Sequence, residues 1–559
     1  MPREFTTVGV VGLGTMGAGI AEVLARSGLN VIASEVDSGA LERGRATLTR
    51  SVDRAVDRGR LSPQDREALL SRVRFTVGLG DLSAAELVIE AVPERMDLKR
   101  QVFAELGRIC PPETVLATNT SSLSVTEIAV ASGRPDRVAG LHFFNPAPVM
   151  RLVEVVRTVV TADDVVEDLA ALCARLGKVD VHVTDRAGFV ANWLLFGYLN
   201  RAVAMLEQGY ATREDIDTAM TVGARLPMGP LTLLDLIGLD TACQILDTMY
   251  ERGGRDRRHA AAPLLRQLVT AGLLGRKSGR GFYTYERPGS GVVVPDGAAG
   301  ASDEQAARPV ALVGVVGAGP VADRLSGLAA PEGCRTVAVA GPGHPGWEEL
   351  SDAGLVVVAD PTAELLAEVG RACGPEAVLA VAVPAAGAAD RGAGDGGAGA
   401  GAAGGTAVVT ALARETGRPG DVVGVHLVDP ESPLVEVVRT VLTSPAAVAT
   451  ARAALGRLGL TPVVCPDRAG FLVDALRLPY LNDAVRMREV GYASARDIDT
   501  AMKLGCGYPA GPFEELERLG PATVLAGLRA LHREEPEPGL APSPLLEQLV
   551  TAGRPVTAA

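Results

Sequence analysis

Residues 8–35 read VGVVGLGTMGAGIAEVLARSGLNVIASE, and this stretch predicts how the first part of the chain folds. An apolar strand runs into Gly12-x-Gly14-x-x-Gly17, a helix follows, and a second strand ends at Glu35. Glycines at these positions allow a tight turn and let a pyrophosphate approach the backbone at the N-terminus of the helix. The order strand, glycine loop, helix, strand and acid therefore predicts an α/β Rossmann domain that binds a dinucleotide.

The acid at the end of the second strand indicates which dinucleotide is bound. Glu35 follows the loop at about 20 residues, the spacing at which a carboxylate accepts hydrogen bonds from the ribose hydroxyls of NAD. A 2′-phosphate would be repelled by this carboxylate, so NAD is favoured over NADP. A glycine motif alone is weak evidence, but its placement between strand and helix argues against a plain glycine turn.

A second stretch, VAGLHFFNPAPVMRLVEVVRT at residues 138–158, carries candidate catalytic side chains. Short β-branched runs flank Pro146 and Pro148, which predicts two strands joined by a turn. Glu154 stands alone in an apolar run, where a carboxylate is costly to bury without a partner. His142, at the end of the preceding strand, is the natural partner, and an imidazole held by a carboxylate is a general base. The alternative is a structural histidine with a solvent-facing glutamate.

Composition limits the classes of function. The chain has 559 residues, of which 47% are hydrophobic and 22% charged, as in ordinary globular proteins. A net charge of −13 argues against a nucleic-acid partner. Seven scattered cysteines without a CxxC motif indicate neither a disulfide framework nor a zinc site. No signal peptide and no membrane-spanning apolar run are evident, so we expect a cytoplasmic protein without a membrane partner.

The chain repeats itself after a linker. LVEVVRT occurs at both 152–158 and 434–440, and DIDTAM occurs at both 215–220 and 497–502. His426 repeats the histidine of the first copy. Internal repetition of this length predicts a tandem duplication of the whole two-domain unit. The predicted domains are a Rossmann domain (1–184), an all-α domain (185–287), a linker (288–308), a degenerate Rossmann-like domain (309–464) and a second all-α domain (465–559).

These motifs together resemble the (S)-3-hydroxyacyl-CoA dehydrogenase family, including its short-chain 3-hydroxybutyryl-CoA members, over residues 5 to about 285. Members of the family have a Rossmann domain followed by a helical domain through which they dimerise. The resemblance implies that His142 is the catalytic base and that Glu154 orients it. It also implies that Ser121, in the NTSS sequence after a predicted strand, touches the substrate hydroxyl and the nicotinamide, and that Asn192 holds the substrate.

The resemblance further implies binding residues for the cofactor and the substrate. The CoA moiety would contact Ser51, Arg58 and Ser121, although the polar stretch around Ser51 is on its own a solvated helical hairpin. No metal site is expected. The implied NAD contacts are Gly12, Gly14, Gly17, Glu35, Glu94, Lys99, Ser121, Asn145 and Lys277.

Two substrates remain open at this point. The first expectation is a short-chain substrate, 3-hydroxybutyryl-CoA, and the alternative is 3-hydroxyadipyl-CoA, because two helical domains in one chain also resemble that group. A cationic residue in the acyl pocket would discriminate between them. A binding protein without turnover is disfavoured because Ser121, His142, Glu154 and Asn192 are all present.

The second copy departs from the first at functional positions. Ser121 corresponds to Gly405 within a Gly/Ala-rich tract, Asn145 to Asp429, and Asn192 to Asp474. Pro320 removes a backbone donor from the second glycine loop. We therefore expect the second copy to be catalytically inactive and not to hold NAD, with the two acids further disfavouring an anionic ligand. Its well-kept helical part is expected to replace a dimer partner, giving a pseudo-dimer within one chain.

Overall fold

The computed structural model describes residues 2–295, 306–328, 334–384, 407–429 and 431–557. It contains two β-sheets, each of which is followed along the chain by helices. The described chain divides into two compact units. Unit 1 comprises Met1–Phe196, Ile245–His259 and Met487–Glu514, and unit 2 comprises Gly197–Gln244, Ala260–Arg486 and Glu515–Ala559.

The first sheet has eight strands in the order β3-β2-β1-β4-β5-β6-β7-β8. Its first six strands run parallel, β7 runs antiparallel to β6, and β8 runs parallel to β7. Apolar side chains pack on both faces, because the strands of a helix-covered parallel sheet are buried on both sides. In chain order, strands β1 to β8 are Thr7–Val11, Asn30–Glu35, Val73–Val77, Leu87–Glu90, Val115–Thr118, Val138–Phe143, Leu152–Arg157 and Val179–Thr184.

Helices connect these strands and then continue as an all-α segment. The helix after the glycine loop begins at Thr15, and the stretch predicted as a helical hairpin forms two helices. The α-helices of this half are Thr15–Arg26, Ser38–Asp57, Pro63–Ser71, Met96–Ile109, Val125–Ala131, Asp163–Arg175, Ala191–Glu207, Arg213–Thr218, Pro230–Ile237, Leu239–Arg252 and Pro263–Thr270, and a π-helical turn spans Ala219–Gly223.

The second sheet has seven described strands in the order β10-β9-β11-β12-β13-β14-β15. In chain order, strands β9 to β15 are Leu312–Val316, Arg335–Val339, Leu355–Val358, Val378–Ala382, Val422–Leu427, Leu434–Arg439 and Thr461–Pro466. The α-helices of this half are Pro320–Ser326, Ala363–Ala372, Val408–Glu415, Pro445–Arg457, Val473–Glu489, Ala495–Cys506, Pro512–Leu519, Pro521–Glu534 and Pro544–Thr551.

The predicted fold class is confirmed, because both halves contain a Rossmann-like sheet followed by helices. Thr212 caps the N-terminus of the helix that begins at Arg213, because its hydroxyl accepts a hydrogen bond from the backbone N–H of Asp215. Gly405 and most of the Gly/Ala tract lie outside the described residues, as does part of the linker. Within the described ranges, no helix has the length and apolar character needed to cross a membrane.

Candidate active site

The two residues of the predicted dyad lie on neighbouring antiparallel strands. His142 in β6 stands directly opposite Glu154 in β7. Nδ1 of the imidazole lies 2.7 Å from Oε2 of the carboxylate. Glu154 is fully buried and His142 is 7% exposed. The structure therefore brings the two side chains into direct contact, as the sequence predicted.

The second carboxylate oxygen of Glu154 also accepts hydrogen bonds. The backbone N–H groups of Val190 and Ala191 both donate to its Oε1 at 3.1 Å. Val190 directly precedes the helix that begins at Ala191, and the N-terminus of a helix stabilises a negative charge. Phe189 adopts a φ of +44°, a strained value for a residue with a side chain, and directly precedes these donors. Glu154 is thus fixed in place, and it can hold Nδ1–H so that Nε2 of His142 can accept a proton.

Aromatic side chains surround the imidazole. The ring centroid of Phe144 lies 4.6 Å from that of His142, and the centroid of Phe189 lies 5.7 Å from it. Such apolar neighbours exclude water from the imidazole and strengthen its interaction with the carboxylate.

Hydrogen bonds to β6 and to Glu94 hold the NTSS loop after β5 in place. Asn119 accepts a hydrogen bond from the backbone N–H of Phe143 at 2.8 Å. Oε1 of Glu94 accepts hydrogen bonds from the hydroxyl of Thr120 at 2.6 Å and from the backbone N–H of Ser121 at 3.0 Å. Ser121 therefore lies on a loop that is tied to the residue next to His142. The sequence offered no separate signal for the role of Asn119.

A buried ion pair lies behind this loop. Nζ of Lys99 is 2.7 Å from Glu90 and 3.5 Å from Glu94, and its side chain is 1% exposed. Burial alone would raise the pKa of Glu94, but the Lys99 ammonium and the loop hydrogen bonds hold it below its usual value. Lys99 therefore supports the loop through Glu94. The sequence pattern did not lead us to predict a role for Glu90, although it ends an apolar strand, as Glu35 does.

The glycine loop has the space that a pyrophosphate requires. A Cβ on Gly17 would lie 1.8 Å from the carbonyl oxygen of Gly12, and Gly12 has a φ of +87°. A Cβ on Gly14 would meet no heavy atom within 4 Å, so this glycine faces open space. The helix that begins at Thr15 has no side-chain cap, which leaves its first N–H groups available to an anion. These residues fit the pyrophosphate of NAD.

Other predicted cofactor residues lie in different surroundings. Glu35 accepts a hydrogen bond from the N–H of Leu13 at 2.6 Å, which links the acid directly to the glycine loop. Asn145 is exposed at the start of the turn between β6 and β7. Lys277 belongs to unit 2, where its ammonium pairs with Asp240. Its contact with NAD stays a prediction.

The other predicted substrate residues lie in or directly after two helices. Ser51 is half-buried in the helix Ser38–Asp57, and Arg58 is exposed directly after that helix. Ser51 hydrogen-bonds the carboxyl group of Glu22, whose pKa is raised mainly by burial. Asn192 is half-buried in the first turn of the helix that holds Glu154. Their contacts with a substrate stay predictions.

The second copy keeps the complete dyad geometry. Nδ1 of His426 lies 2.6 Å from Oε2 of Glu436. Leu472 and Val473 donate their backbone N–H groups to Oε1 of Glu436 at 2.9 and 2.8 Å. Nε2 of His426, however, is buried and has no hydrogen-bond partner among the residues that the structure describes. Nε2, the atom that would accept a proton, is therefore closed off from solvent, and this dyad is called sealed below.

The two acids of the second copy are not free anions. Asp429 forms ion pairs with Arg225 and Arg518, each at 3.2 Å. Asp474 pairs with Arg477 at 2.6 Å. Arginines therefore balance the charges of both acids, and the effect of these acids on an anionic ligand stays a prediction. The altered phosphate loop is the stronger argument that the second copy does not hold NAD. Pro320 opens a helix of 7 residues, whereas the corresponding helix of the first copy has 12 residues.

A glycine loop on a Rossmann sheet, with a carboxylate-held imidazole at a nearby strand end, defines an NAD-dependent dehydrogenase that oxidises an alcohol. Models of the 3-hydroxyacyl-CoA dehydrogenase NAD binding domain match residues 7–186 and 403–468. Models of the 3-hydroxyacyl-CoA dehydrogenase C-terminal domain match residues 188–285 and 470–559. The chain belongs to the 3-hydroxyacyl-CoA dehydrogenase family and carries its two domains twice in tandem.

Individual relatives differ in how much of the chain they share. A 3-hydroxyadipyl-CoA dehydrogenase of Escherichia coli (strain K12) is 34% identical over 544 residues, which is 97% of each chain. A 3-hydroxybutyryl-CoA dehydrogenase of Mycobacterium tuberculosis (strain ATCC 25618 / H37Rv) is 48% identical over 289 residues, 51% of this chain and 100% of the relative. The crystal structure of a 3-hydroxybutyryl-CoA dehydrogenase from E. coli K12 covers 99% of this chain, with 31% identity and a TM-score of 0.74.

Proposed function

We propose that the protein oxidises a six-carbon dicarboxylic substrate, (S)-3-hydroxyadipyl-CoA, to the 3-oxoacyl-CoA, or catalyses the reverse reduction. The observation that carries the proposal is the match along 97% of both chains to a relative with that name. The M. tuberculosis relative, named for 3-hydroxybutyryl-CoA, aligns with only 51% of this chain. The substrate first expected from the sequence, 3-hydroxybutyryl-CoA, is therefore the second candidate. It is supported by the E. coli crystal structure that covers 99% of this chain, because that protein is named for this substrate.

In the proposed reaction, His142 accepts the proton of the 3-hydroxyl group at Nε2. Glu154 accepts the hydrogen bond from Nδ1–H, which fixes the tautomer and stabilises the imidazolium that forms. The backbone donors of Val190 and Ala191 keep the carboxylate in this orientation. Ser121 and Asn192 position the substrate hydroxyl and acyl group.

NAD, when bound, supplies the hydride acceptor. Gly12, Gly14 and Gly17 would hold its pyrophosphate, and Glu35 would accept hydrogen bonds from its ribose. The remaining proposed contacts for the cofactor come from Glu94, Lys99, Ser121, Asn145 and Lys277, and those for CoA from Ser51, Arg58 and Ser121.

Three substrates test the proposal. 3-Hydroxyadipyl-CoA and 3-hydroxyhexanoyl-CoA have the same chain length and differ in the terminal carboxylate, and 3-hydroxybutyryl-CoA is the short neutral ester. We expect kcat/KM, measured by NADH formation, to be at least about tenfold higher for the adipyl ester than for the hexanoyl ester. A charge-assisted contact with the terminal carboxylate is worth about 1.5–3 kcal/mol. Equal values for these two esters, or a faster butyryl ester, would contradict the proposed substrate.

Glu35→Gln tests the cofactor preference. The amide oxygen can still accept the hydrogen bond from Leu13, so the loop is retained while the negative charge is removed. We expect the ratio of kcat/KM for NAD to that for NADP to fall by about 10–100-fold, because the repulsion of the 2′-phosphate is lost and the hydrogen bonds to the NAD ribose weaken. Steady-state kinetics with both cofactors measure this ratio. An unchanged ratio would show that Glu35 does not face the ribose.

A cytoplasmic location is also part of the proposal. It is supported by the seven cysteines, none of which forms a disulfide bond in the described structure. We further propose that the second helical domain takes the place of a dimer partner. Its support is the composition of unit 1, in which Met487–Glu514 of the second copy accompanies the first sheet.

A further inference from the structure

A segment of the second copy packs inside unit 1, next to the strand that carries Glu154. The helix Ala495–Cys506 lies against β7 and β8 of the first sheet. This helix and the turn before it belong to the segment Met487–Glu514. Two residues of this segment lie near the dyad: Tyr492 contacts the loop that leads to the donors of Glu154, and Gly505 lies beside Phe144, the aromatic neighbour of His142.

Tyr492 holds the loop that fixes Glu154. Its hydroxyl donates to the carbonyl of Arg186 at 3.3 Å, and the guanidinium of Arg186 lies 5.4 Å from the centre of its ring. The carbonyl of Tyr492 accepts a hydrogen bond from the N–H of Thr184 at 3.4 Å. The same loop continues to Val190 and Ala191, the two donors to Glu154. Burial, and next the charge of Glu154, raise the pKa of Tyr492, which keeps its phenol protonated as a donor.

Gly505 leaves room for the aromatic neighbour of His142. A Cβ at this position would lie 2.9 Å from Cδ2 of Leu152 and 3.2 Å from Cε1 of Phe144. Leu152 stands two residues before Glu154, on the same face of β7, because side chains alternate along a strand. Any side chain at position 505 would therefore press on both the dyad strand and the ring beside the imidazole.

The first copy makes corresponding contacts with the second sheet, although its tyrosine donates to a different carbonyl of the matching loop. The hydroxyl of Tyr210 donates to the carbonyl of Phe471, and the guanidinium of Arg468 lies 5.4 Å from the centre of the Tyr210 ring. A Cβ on Gly223 would lie 2.5 Å from Cδ2 of Leu434 in β14. These contacts lie within unit 2, beside the sealed dyad of the second copy. The chain thus contains a matched control for each contact.

We infer that the second copy supplies positioning residues to the active site of the first, with Tyr492 orienting the loop that holds Glu154 and Gly505 admitting Phe144 beside His142. This inference rests on the proposed dehydrogenase mechanism. It gives the degenerate copy a specific role in catalysis, beyond that of packing, because its contacts act on the imidazole and on its carboxylate.

The experiment compares Gly505→Ala with Gly223→Ala, and Tyr492→Phe with Tyr210→Phe, in the full-length protein. We expect the first member of each pair to lower kcat about five- to tenfold, because sub-ångström displacement of a catalytic group is costly. NAD affinity, measured by fluorescence titration, should stay within twofold. The second member of each pair should leave kcat within twofold. Alanine has a higher helix propensity than glycine, so a fall in kcat at position 505 would not reflect helix unfolding.

A second readout does not depend on turnover. The proton on Nδ1 of His142, bonded to Glu154, should give a downfield NMR signal that is absent in His142→Gln. We expect Gly505→Ala to shift this signal and Gly223→Ala to leave it in place. Equal losses of kcat within both pairs, or no loss in either, would overturn the inference, as would an unshifted signal in Gly505→Ala. If the wild-type protein were inactive on every 3-hydroxyacyl-CoA ester, only the proposed function would be refuted. The shift of the Nδ1 proton signal in Gly505→Ala would still test whether the second copy positions His142.

Discussion

We expect His142→Gln to lower kcat by about 10²–10⁴-fold, because a positioned general base contributes that much to a proton transfer. Glutamine can still donate a hydrogen bond to Glu154, so the buried carboxylate keeps a partner and the strand pair stays intact. NAD affinity should change little, since the imidazole does not belong to the glycine loop. Steady-state rates of NADH formation and fluorescence titration with NAD measure the two quantities.

The matched variant is His426→Gln, which makes the same change in a dyad of the same geometry. We expect kcat to stay within twofold of the wild type, because Nε2 of His426 is sealed and the loop before Pro320 is altered. Loss of most of the activity in this variant would show that the second copy turns over substrate, and the assignment of one active site per chain would be wrong.

The second large effect is on stability. We expect Lys99→Met to lower the free energy of unfolding of unit 1 by about 3–5 kcal/mol, because it leaves the buried carboxylate of Glu90 without its cation. Urea unfolding can be followed by fluorescence of Trp193, which lies in unit 1, in a Trp347→Phe background that removes the other tryptophan.

Arg100→Met is the control for this variant. Arg100 lies on the same helix and pairs with Glu127 at 2.9 Å, but about half of its side chain is exposed. An exposed ion pair contributes at most about 1 kcal/mol, so we expect a small change. Similar losses in the two variants would mean that the Lys99 pair is no more important than a surface pair, and that Glu94 does not depend on it to hold the NTSS loop.

The sequence alone determined the features that depend on local pattern. The strand, the glycine loop and Glu35 predict the Rossmann domain because each requires only a turn, a helix and a strand in order. His142 and Glu154 are separated by one turn between two strands, so their contact follows from the hairpin register, and the structure confirms it. The tandem duplication was also visible, because whole segments recur letter for letter.

Contacts between distant parts of the chain became visible only in the folded structure. Tyr492 contacts the carbonyl of Arg186 across 306 residues of chain, and no local periodicity encodes such a contact. The arginines that neutralise Asp429 come from both helical parts of the chain, so the sequence could not show that this acid is balanced. The burial of Lys99 likewise depends on strands and loops that fold around it. Charges and aromatic rings can be read from a sequence, but their partners are set by packing between elements far apart along the chain.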